Sequence, residues 1–84
     1  MALMLEWLRN WGRKLSAAEV KKLPVGTHVI IHKEDKQGYH VTQDCVIVQY
    51  GKSKRLNFWD EWNGERYSYP IRDKENQAYT LKKE

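Results

Sequence analysis

The Asn63-Gly64 pair constrains the fold of this 84-residue chain more than any other feature. Two aromatic-rich runs with alternating polarity flank it, residues 56–62 and residues 65–71. Asn-Gly between such runs is the strongest short-range signal for a β-hairpin with a two-residue type I′ turn, because both turn residues take positive φ there. This turn predicts a hairpin in which Trp62 pairs with Glu65.

The alternation divides the predicted hairpin into two faces. One face is apolar and is expected to join the core: Leu56, Phe58, Trp62, Tyr67, Tyr69 and Ile71. The other face is polar and carries a single large aromatic side chain: Asn57, Glu61, Arg66, Ser68 and Pro70, with Trp59 among them. A lone Trp on a polar face indicates a binding surface.

The same period of two predicts the remaining strands. Residues 27–33 form the first, with Val29 and Ile31 on one face, and residues 45–50 form a second that is central and buried on both faces. Residues 54–62 and 65–72 are the third and fourth strands, and residues 78–81 are the fifth. Because Pro70 cannot donate to a ladder, that end of the fourth strand is expected at an edge or a bulge.

The turn at Gly51 leaves the register of the second strand open. A two-residue turn would place Cys45 and Ile47 in the core. A three-residue turn would place Val46 and Val48 there instead.

The first 23 residues predict helix. Residues 2–15 match an amphipathic helix, whose apolar stripe gathers Leu3, Met4, Trp7, Leu8, Trp11 and Leu15. Ser16 and Glu19 have the spacing of a capping box, which predicts a second short helix over residues 17–22. Pro24 ends it, because the residue before proline is pushed out of the α region.

The Trp7/Trp11 stripe of the first helix has several interpretations. It can close the core of its own domain, form a homodimer with a second copy, dock in a partner's groove or lie on a membrane surface. The first is favoured because a small barrel needs a lid and helices gain most of their stability from packing. No membrane association is expected, since so short a helix carries only weak positive charge and no apolar run approaches the roughly 20 residues of a membrane span.

These elements predict one α+β domain over residues 1–84. The strands suggest a small SH3-like barrel or a strongly curled sheet, and the barrel is preferred. An N-terminal amphipathic helix of one or two segments, residues 1–23, then packs on a small five-stranded antiparallel SH3-like β-barrel, residues 24–84. An OB-type barrel is the nearest alternative, but that fold usually carries a helix between its third and fourth strands, and no helix fits there.

Charge and cysteine content limit the function classes. The formal net charge is +4, of which residues 1–24 hold +3 and residues 25–84 only +1. Any electrostatic footprint of the β domain must therefore come from local clustering. With Cys45 as the single cysteine, no intrachain disulfide can form, which favours a cytoplasmic location for so small a domain.

Catalytic and metal-binding patterns are not found in the sequence. Asp60 and Glu61 are neighbours on a strand, so they point to opposite faces and cannot act as an acid–base pair. No nucleophile elbow or phosphate-binding loop occurs. The histidines and Cys45 match no metal-ligand spacing. We therefore expect no enzymatic activity, no metal and no cofactor.

A basic-aromatic group is the candidate site: Lys52, Lys54, Arg55, Trp59, Arg66 and Arg72. The preferred interpretation is weakly sequence-specific nucleic-acid binding, with Trp59 stacking on a base and the cations contacting phosphates. The alternative structural interpretation is that Trp59 packs under the N-terminal helices and the arginines pair with acidic neighbours, Asp60, Glu61 and Asp73. The alternative function is a protein–protein interaction module, an adaptor or small inhibitor, that uses the Trp59 patch or the Trp7/Trp11 stripe.

Overall fold

A computed structural model of the chain describes residues 8–83. Within that range five strands form one antiparallel sheet in the order β4-β3-β2-β1-β5. Their bounds are β1 (His28–Glu34), β2 (His40–Tyr50), β3 (Ser53–Asp60), β4 (Glu65–Pro70) and β5 (Gln77–Leu81). A 3₁₀ turn, Leu8–Asn10, and one short helix, α1 (Ala17–Lys21), precede the sheet.

The sheet is open, so the prediction of a closed SH3-like barrel is wrong. β4 pairs with β3 and β5 pairs with β1, which leaves β4 and β5 as the outer strands. The β5 edge is partly occupied because the Leu15 N–H donates to the Tyr79 carbonyl at 2.8 Å. At the β4 edge Pro70 has no N–H, and the Ser68 carbonyl accepts from the Arg55 guanidinium at 3.2 Å. Edges blocked in this way do not need closure to avoid unwanted strand pairing.

Although open, the sheet curls strongly around one face. The Lys33 ammonium on β1 lies 4.5 Å from the centre of the Tyr69 ring on β4. The Gln43 amide on β2 also donates to the Tyr69 hydroxyl at 3.2 Å. In a flat sheet β1 and β4 would be about 14 Å apart, three strand spacings. We call the enclosed side the concave face and the opposite side the convex face.

The main core lies on the concave face, between the sheet and α1. Alternating residues of the strands are buried there because successive side chains point to opposite sides of the sheet. The cluster comprises Leu15, Ala17, Val20, Val29, Ile31, Cys45, Ile47, Leu56, Ile71 and Tyr79. Burial of both Cys45 and Ile47 follows from a two-residue turn, in which Tyr50 pairs with Ser53. Of the two registers that the sequence left open, the one with the shorter turn is therefore observed.

The long N-terminal helix is wrong for the part of the chain that the structure describes. Residues 1–7, which include Leu3, Met4 and Trp7, lie outside it. From Leu8 onward the chain forms a single 3₁₀ turn, closed by a bond from the Trp11 N–H to the Leu8 carbonyl at 2.9 Å. Gly12 then takes a φ of +100°, a conformation open to glycine that ends any helical path.

The second helix and its capping box are confirmed. The Ser16 hydroxyl accepts from the Glu19 N–H at 3.1 Å, and the Glu19 carboxylate accepts from the Ser16 N–H at 3.1 Å. The Ser16 N–H and then the Arg13 guanidinium hold the pKa of Glu19 below its ordinary value. α1 packs on the concave face through Val20, which is fully buried.

The N-terminal segment, residues 8–21, contacts both sides of the sheet. From Leu8 it lies on the convex face, where Leu8 packs with Ala78 and Trp11 meets His32 edge-on, with ring centres 5.0 Å apart. It then crosses the β5 edge at Leu15 and places α1 on the concave face. This path covers the β1–β5 half of the convex face. The β2–β3–β4 half carries exposed side chains, among them Tyr50 and Trp59.

The β3–β4 hairpin has a four-residue loop rather than the predicted two-residue turn. Asp60 pairs with Glu65, and residues 61–64 form the loop. The Asp60 carboxylate accepts from the Trp62 N–H at 2.9 Å, and the Gly64 N–H donates to the Asp60 carbonyl at 2.9 Å. Gly64 has a positive φ of +68° but Asn63 does not, which excludes a type I′ turn.

The observed register differs from the predicted one by two residues. Since side chains alternate with a period of two, this shift leaves each strand residue on its predicted face. Trp59 remains on the convex face, where it pairs with Arg66. Trp62, however, moves from the strand into the loop and is 99% exposed, so its prediction as a core residue is wrong.

We expect a Tyr79→Phe substitution to lower the free energy of unfolding by about 1 kcal/mol, because the partly buried backbone groups of Arg72 lose their hydroxyl partner. The Tyr79 hydroxyl donates to the Arg72 carbonyl at 2.9 Å and accepts from the Arg72 N–H at 3.2 Å. Urea unfolding followed by circular dichroism measures the change. Tyr50→Phe is the control, since Tyr50 is 72% exposed. Equal stabilities of the two variants would contradict this role of the hydroxyl.

Candidate nucleic-acid interface

Trp59 lies near the end of β3 on the open half of the convex face, and 51% of it is exposed. The Arg66 guanidinium from β4 lies 5.7 Å from the centre of its ring, within the range of a cation–π interaction. The N-terminal segment covers the other half of this face. The part of the N-terminal segment that the structure describes, from Leu8 onward, therefore does not pack over Trp59.

Arg55 lies on the same face as Trp59, four residues earlier on β3. Its guanidinium donates to the Ser68 hydroxyl at 2.7 Å and to the Ser68 carbonyl at 3.2 Å. Both of these Ser68 groups are neutral, so the contacts do not neutralise the positive charge of Arg55. The contacts hold the side chain across β4 and keep it ordered beside the open face.

The acidic neighbours of these arginines have other contacts. One oxygen of Asp60 accepts from the Trp62 N–H, as described above. The Asp73 carboxylate accepts from the Ala17 N–H at 2.9 Å and so satisfies a backbone donor in the first turn of α1. Neither contact is the arginine pairing of the alternative structural interpretation.

A basic groove of about 520 Å³ opens at the β2–β3 turn. We define it by its lining residues: Lys21, Gln49, Lys52, Ser53, Lys54, Arg55, Pro70, Ile71 and Arg72. The described chain contributes five cationic side chains to this groove and no carboxylate. Four of the six residues predicted from sequence therefore lie together here. The fifth cation, Lys21, was missed because only the docking of α1 on the sheet brings it to the groove.

Lys54 differs from the other cations of the basic groove because its ammonium is already bound. It donates to the carbonyls of Lys21, at 3.0 Å, and Leu23, at 2.7 Å. These carbonyls belong to the end of α1, where free acceptors and the negative end of the helix dipole attract a cation. Lys54 therefore fastens the helix to β3 and contributes charge to the groove as a secondary effect.

A second groove, of about 460 Å³, lies at the opposite end of the β3–β4 hairpin. It is aromatic and acidic: His28, Asp44, Val46, Asn57, Phe58, Trp59, Asp60, Glu61 and Trp62 line it. Burial raises the pKa of Asp44, but hydrogen bonds from Lys82 at 2.6 Å and His28 at 3.0 Å outweigh this effect and hold it below its ordinary value. The hairpin therefore has a basic end and an acidic end.

The predicted site is thus divided between two places. Trp59 and Arg66 lie about 13 Å along β3 from Arg55 and the basic groove, four residues at 3.3 Å each. Arg55 belongs to both, since it lines the groove and lies on the convex face with Trp59. The arrangement offers one aromatic surface and a nearby set of cations.

A histidine pair lies under the N-terminal segment. His32 is fully buried, with its Nδ1 atom 2.7 Å from His40 Nε2 and its Nε2 atom 2.8 Å from the Thr80 hydroxyl. Burial, and secondarily the nearby His40, lowers the pKa of His32 to about 4. Within residues 8–83 there is no group of three or more histidine, cysteine and carboxylate side chains that could hold a metal ion.

Cys45 has the properties of a core residue rather than of a nucleophile. It is fully buried, and burial raises the pKa of its thiol to about 12. At neutral pH the thiol is therefore almost entirely protonated. Because only the thiolate is a strong nucleophile, Cys45 is unreactive.

Comparison of the chain with protein-family models, curated proteins and solved structures finds no match. Across residues 8–83, no helix combines the length and the apolar character required to cross a membrane. The function is therefore inferred from the geometry of the molecule.

We expect Lys54→Met to lower the free energy of unfolding by about 1 kcal/mol, because two carbonyls at the end of α1 lose a charged donor while the aliphatic stem is kept. Lys52→Met, in the adjacent turn, is the matched control and should leave stability unchanged. Thermal unfolding of both variants checks the difference. If they unfold alike, Lys54 does not fasten the helix.

The His32 pKa predicts a defined loss of stability in acid. Its folded pKa, about 4, lies below the ordinary value of 6.5, so the folded state favours the neutral ring. This stabilisation is complete above pH 6.5 and is lost as the pH falls towards 4, by up to about 1.4 kcal/mol per pH unit.

Urea unfolding across this pH range measures the slope. His32→Asn should reduce the slope whatever its effect on stability at neutral pH. Thr42→Asn, an uncharged substitution at an exposed position of β2, is the control and should retain it. An unchanged slope in His32→Asn would assign the acid sensitivity to other groups.

Proposed function

We propose that the chain is a non-enzymatic domain that binds single-stranded nucleic acid with little sequence specificity. The observation that carries the proposal is the half-exposed Trp59 on an uncovered sheet face that leads into a groove lined by five cations. Open sheet faces with aromatic side chains and cationic borders are a common platform for single strands, because any base can stack and any phosphate can be contacted.

Trp59 is the stacking surface in this proposal. Arg66 fixes the indole in place and adds a positive charge beside it. Stacking of one base on an aromatic ring is worth about 1–3 kcal/mol and tolerates every base.

The cations define where the phosphates would lie. Arg55 continues the positive surface from Trp59 towards Lys52 and Arg72 in the basic groove. At the other end, Asp60 and Glu61 would repel phosphate. The bound single strand of nucleic acid would therefore run from Trp59 towards the β2–β3 turn and away from the hairpin loop.

A protein–protein interaction through the Trp59 patch is the second candidate function. It is favoured by the acidic and aromatic groove beside Trp59, which suits a partner with positive charge. Of the Trp7/Trp11 stripe, Trp7 lies outside the described residues and Trp11 contacts His32 and His40. Salt separates the two functions, because phosphate contacts weaken steeply with ionic strength and aromatic anchors do not. A cytoplasmic location, suggested by the single cysteine, is part of the proposal.

The test is binding of a fluorescently labelled, short, mixed-sequence oligonucleotide, measured by anisotropy at several salt concentrations. We expect Trp59→Ala to weaken binding by about five- to 150-fold, the equivalent of one stacked base. The Lys52→Ala/Arg72→Ala double variant should reduce the dependence of log affinity on log salt by about 1.4, corresponding to two phosphate contacts.

Matched controls lie in the β1–β2 turn, which contributes no residue to the lining of the basic groove. Tyr39→Ala removes an exposed aromatic side chain and Lys36→Ala removes an exposed cation. Neither should change affinity. A folded Trp59→Ala protein with undiminished affinity would refute the proposal, as would the absence of binding by the unaltered protein at low salt.

A further inference from the structure

Among the exposed large hydrophobic side chains of residues 8–83, a tryptophan is the most exposed. Trp62 is 99% exposed at the end of the β3–β4 hairpin, in a position where the sequence predicted a core residue. A fully hydrated indole gains free energy if another surface covers it, about 25 cal/mol for each Å² of apolar area. Tryptophan is also the residue most enriched among the anchors of protein interfaces.

The loop that carries Trp62 is held by side-chain hydrogen bonds. The Asp60 carboxylate accepts from the Trp62 N–H, and Asn63 accepts from the Glu65 N–H at 2.8 Å. The Asn63 amide then donates to the Tyr67 hydroxyl at 3.0 Å, which in turn donates to Glu65 at 3.0 Å. Such a loop fixes the backbone from which the indole projects, so that binding would have to order the side chain but not the loop.

The surroundings of Trp62 carry negative charge. Asp60, Glu61 and Glu65 lie on or beside the loop, and we call these three residues with Trp62 the acidic tip. In the contacts described above, Asp60 and Glu65 accept from neutral groups, a backbone N–H and a tyrosine hydroxyl. The acidic tip therefore favours a partner with positive charge and disfavours nucleic acid and anionic lipid.

The basic groove of the same molecule has the complementary properties. It carries five cationic side chains, with Pro70 and Ile71 also in its lining, and its volume of about 520 Å³ exceeds that of an indole. Aliphatic stems of lysine and arginine can cover an aromatic ring while their charged ends meet carboxylates. The groove thus offers both an apolar contact for Trp62 and cations for the acids beside it.

One copy of the chain cannot fill its own groove. The groove and the acidic tip lie at opposite ends of β3, from Ser53 to Asp60, about 23 Å apart. Two copies whose β3–β4 hairpins run antiparallel can make both contacts at once, since a two-fold axis places each tip at the partner's groove. From this complementarity we infer that the chain forms a symmetric dimer in which the acidic tip of each copy occupies the basic groove of the other.

The first measurement is sedimentation equilibrium of the unaltered protein at low and moderate salt. We expect a reversible monomer–dimer equilibrium that weakens as salt rises, because opposite charges meet at the interface. Trp62→Ala should weaken dimerisation by about tenfold or more, as for loss of an interface anchor. Tyr39→Ala, which removes another exposed aromatic side chain, should not.

The second measurement tests the pairing of tip with groove. The Lys52→Glu/Arg72→Glu variant should also be monomeric, whereas Lys36→Glu, with a charge reversal elsewhere, should dimerise normally. When isotope-labelled Trp62→Ala protein, with an intact groove, is mixed with unlabelled Lys52→Glu/Arg72→Glu protein, with an intact tip, amide shifts should appear at residues 52–55, 71 and 72 of the labelled copy.

Three results would overturn the inference: a monomeric unaltered protein, a dimer that Trp62→Ala leaves intact, or shifts that fall outside the groove. The altered side chains are exposed, and an amide spectrum of each variant verifies that it is folded. These measurements contain no nucleic acid, so their outcome is independent of the proposed function.

Discussion

The contacts of Tyr79 join the main core, the N-terminal segment and the end of β4, and the rest of the structure depends on these connections. Its ring is in the main core, its carbonyl accepts the bond from Leu15, and its hydroxyl binds both backbone groups of Arg72. The first of these polar contacts guides the N-terminal segment across the β5 edge. The second fixes the chain as it leaves β4 and approaches the basic groove. One residue on the last strand therefore links the arrangement of residues 8–21 to that of the site.

Strand positions and strand faces could be predicted because burial on a sheet alternates with the sequence. The polarity of residues 56–60 and 65–70 placed Trp59 on the convex face even though the predicted pairing was displaced. The loop could not be predicted by the same rule, because the Asp60 and Asn63 side chains bond to nearby backbone N–H groups and replace the type I′ geometry. The apolar stripe of residues 2–15 suggested a continuous helix, whereas Gly12 and the pairing of Leu15 with Tyr79 favour an extended path.

Closure of the sheet and the composition of the site depend on contacts between residues far apart in the sequence. Nothing local shows that the Arg55 guanidinium will reach Ser68 or that the β5 edge will pair with Leu15. For the same reason Lys21 was not recognised as a neighbour of Lys52, and Lys54 could not be distinguished from the cations whose charge is free to bind a ligand. The side-chain types of the site were visible in the sequence, but their division between two ends of one hairpin was not.

The basic groove has two proposed occupants that share a chemistry. A nucleotide presents a flat aromatic base beside a negative phosphate, and the acidic tip presents an indole beside carboxylates. A cationic groove with apolar stems would accept either, so the two would compete for it. Dimerisation would then limit access of nucleic acid to the groove, and nucleic acid would favour the monomer.

The two-residue displacement of the hairpin register has a consequence for how this molecule can diversify. Pairing with β2 fixes the faces of β3, so Leu56 and Phe58 stay on the core side whatever the length of the loop. A slip of β4 against β3 by two residues keeps every β4 side chain on its side of the sheet, whereas a slip by one residue would turn Tyr69 away from the core. The end of the hairpin can therefore change, by loop length or by a two-residue slip, without altering the surface around Trp59.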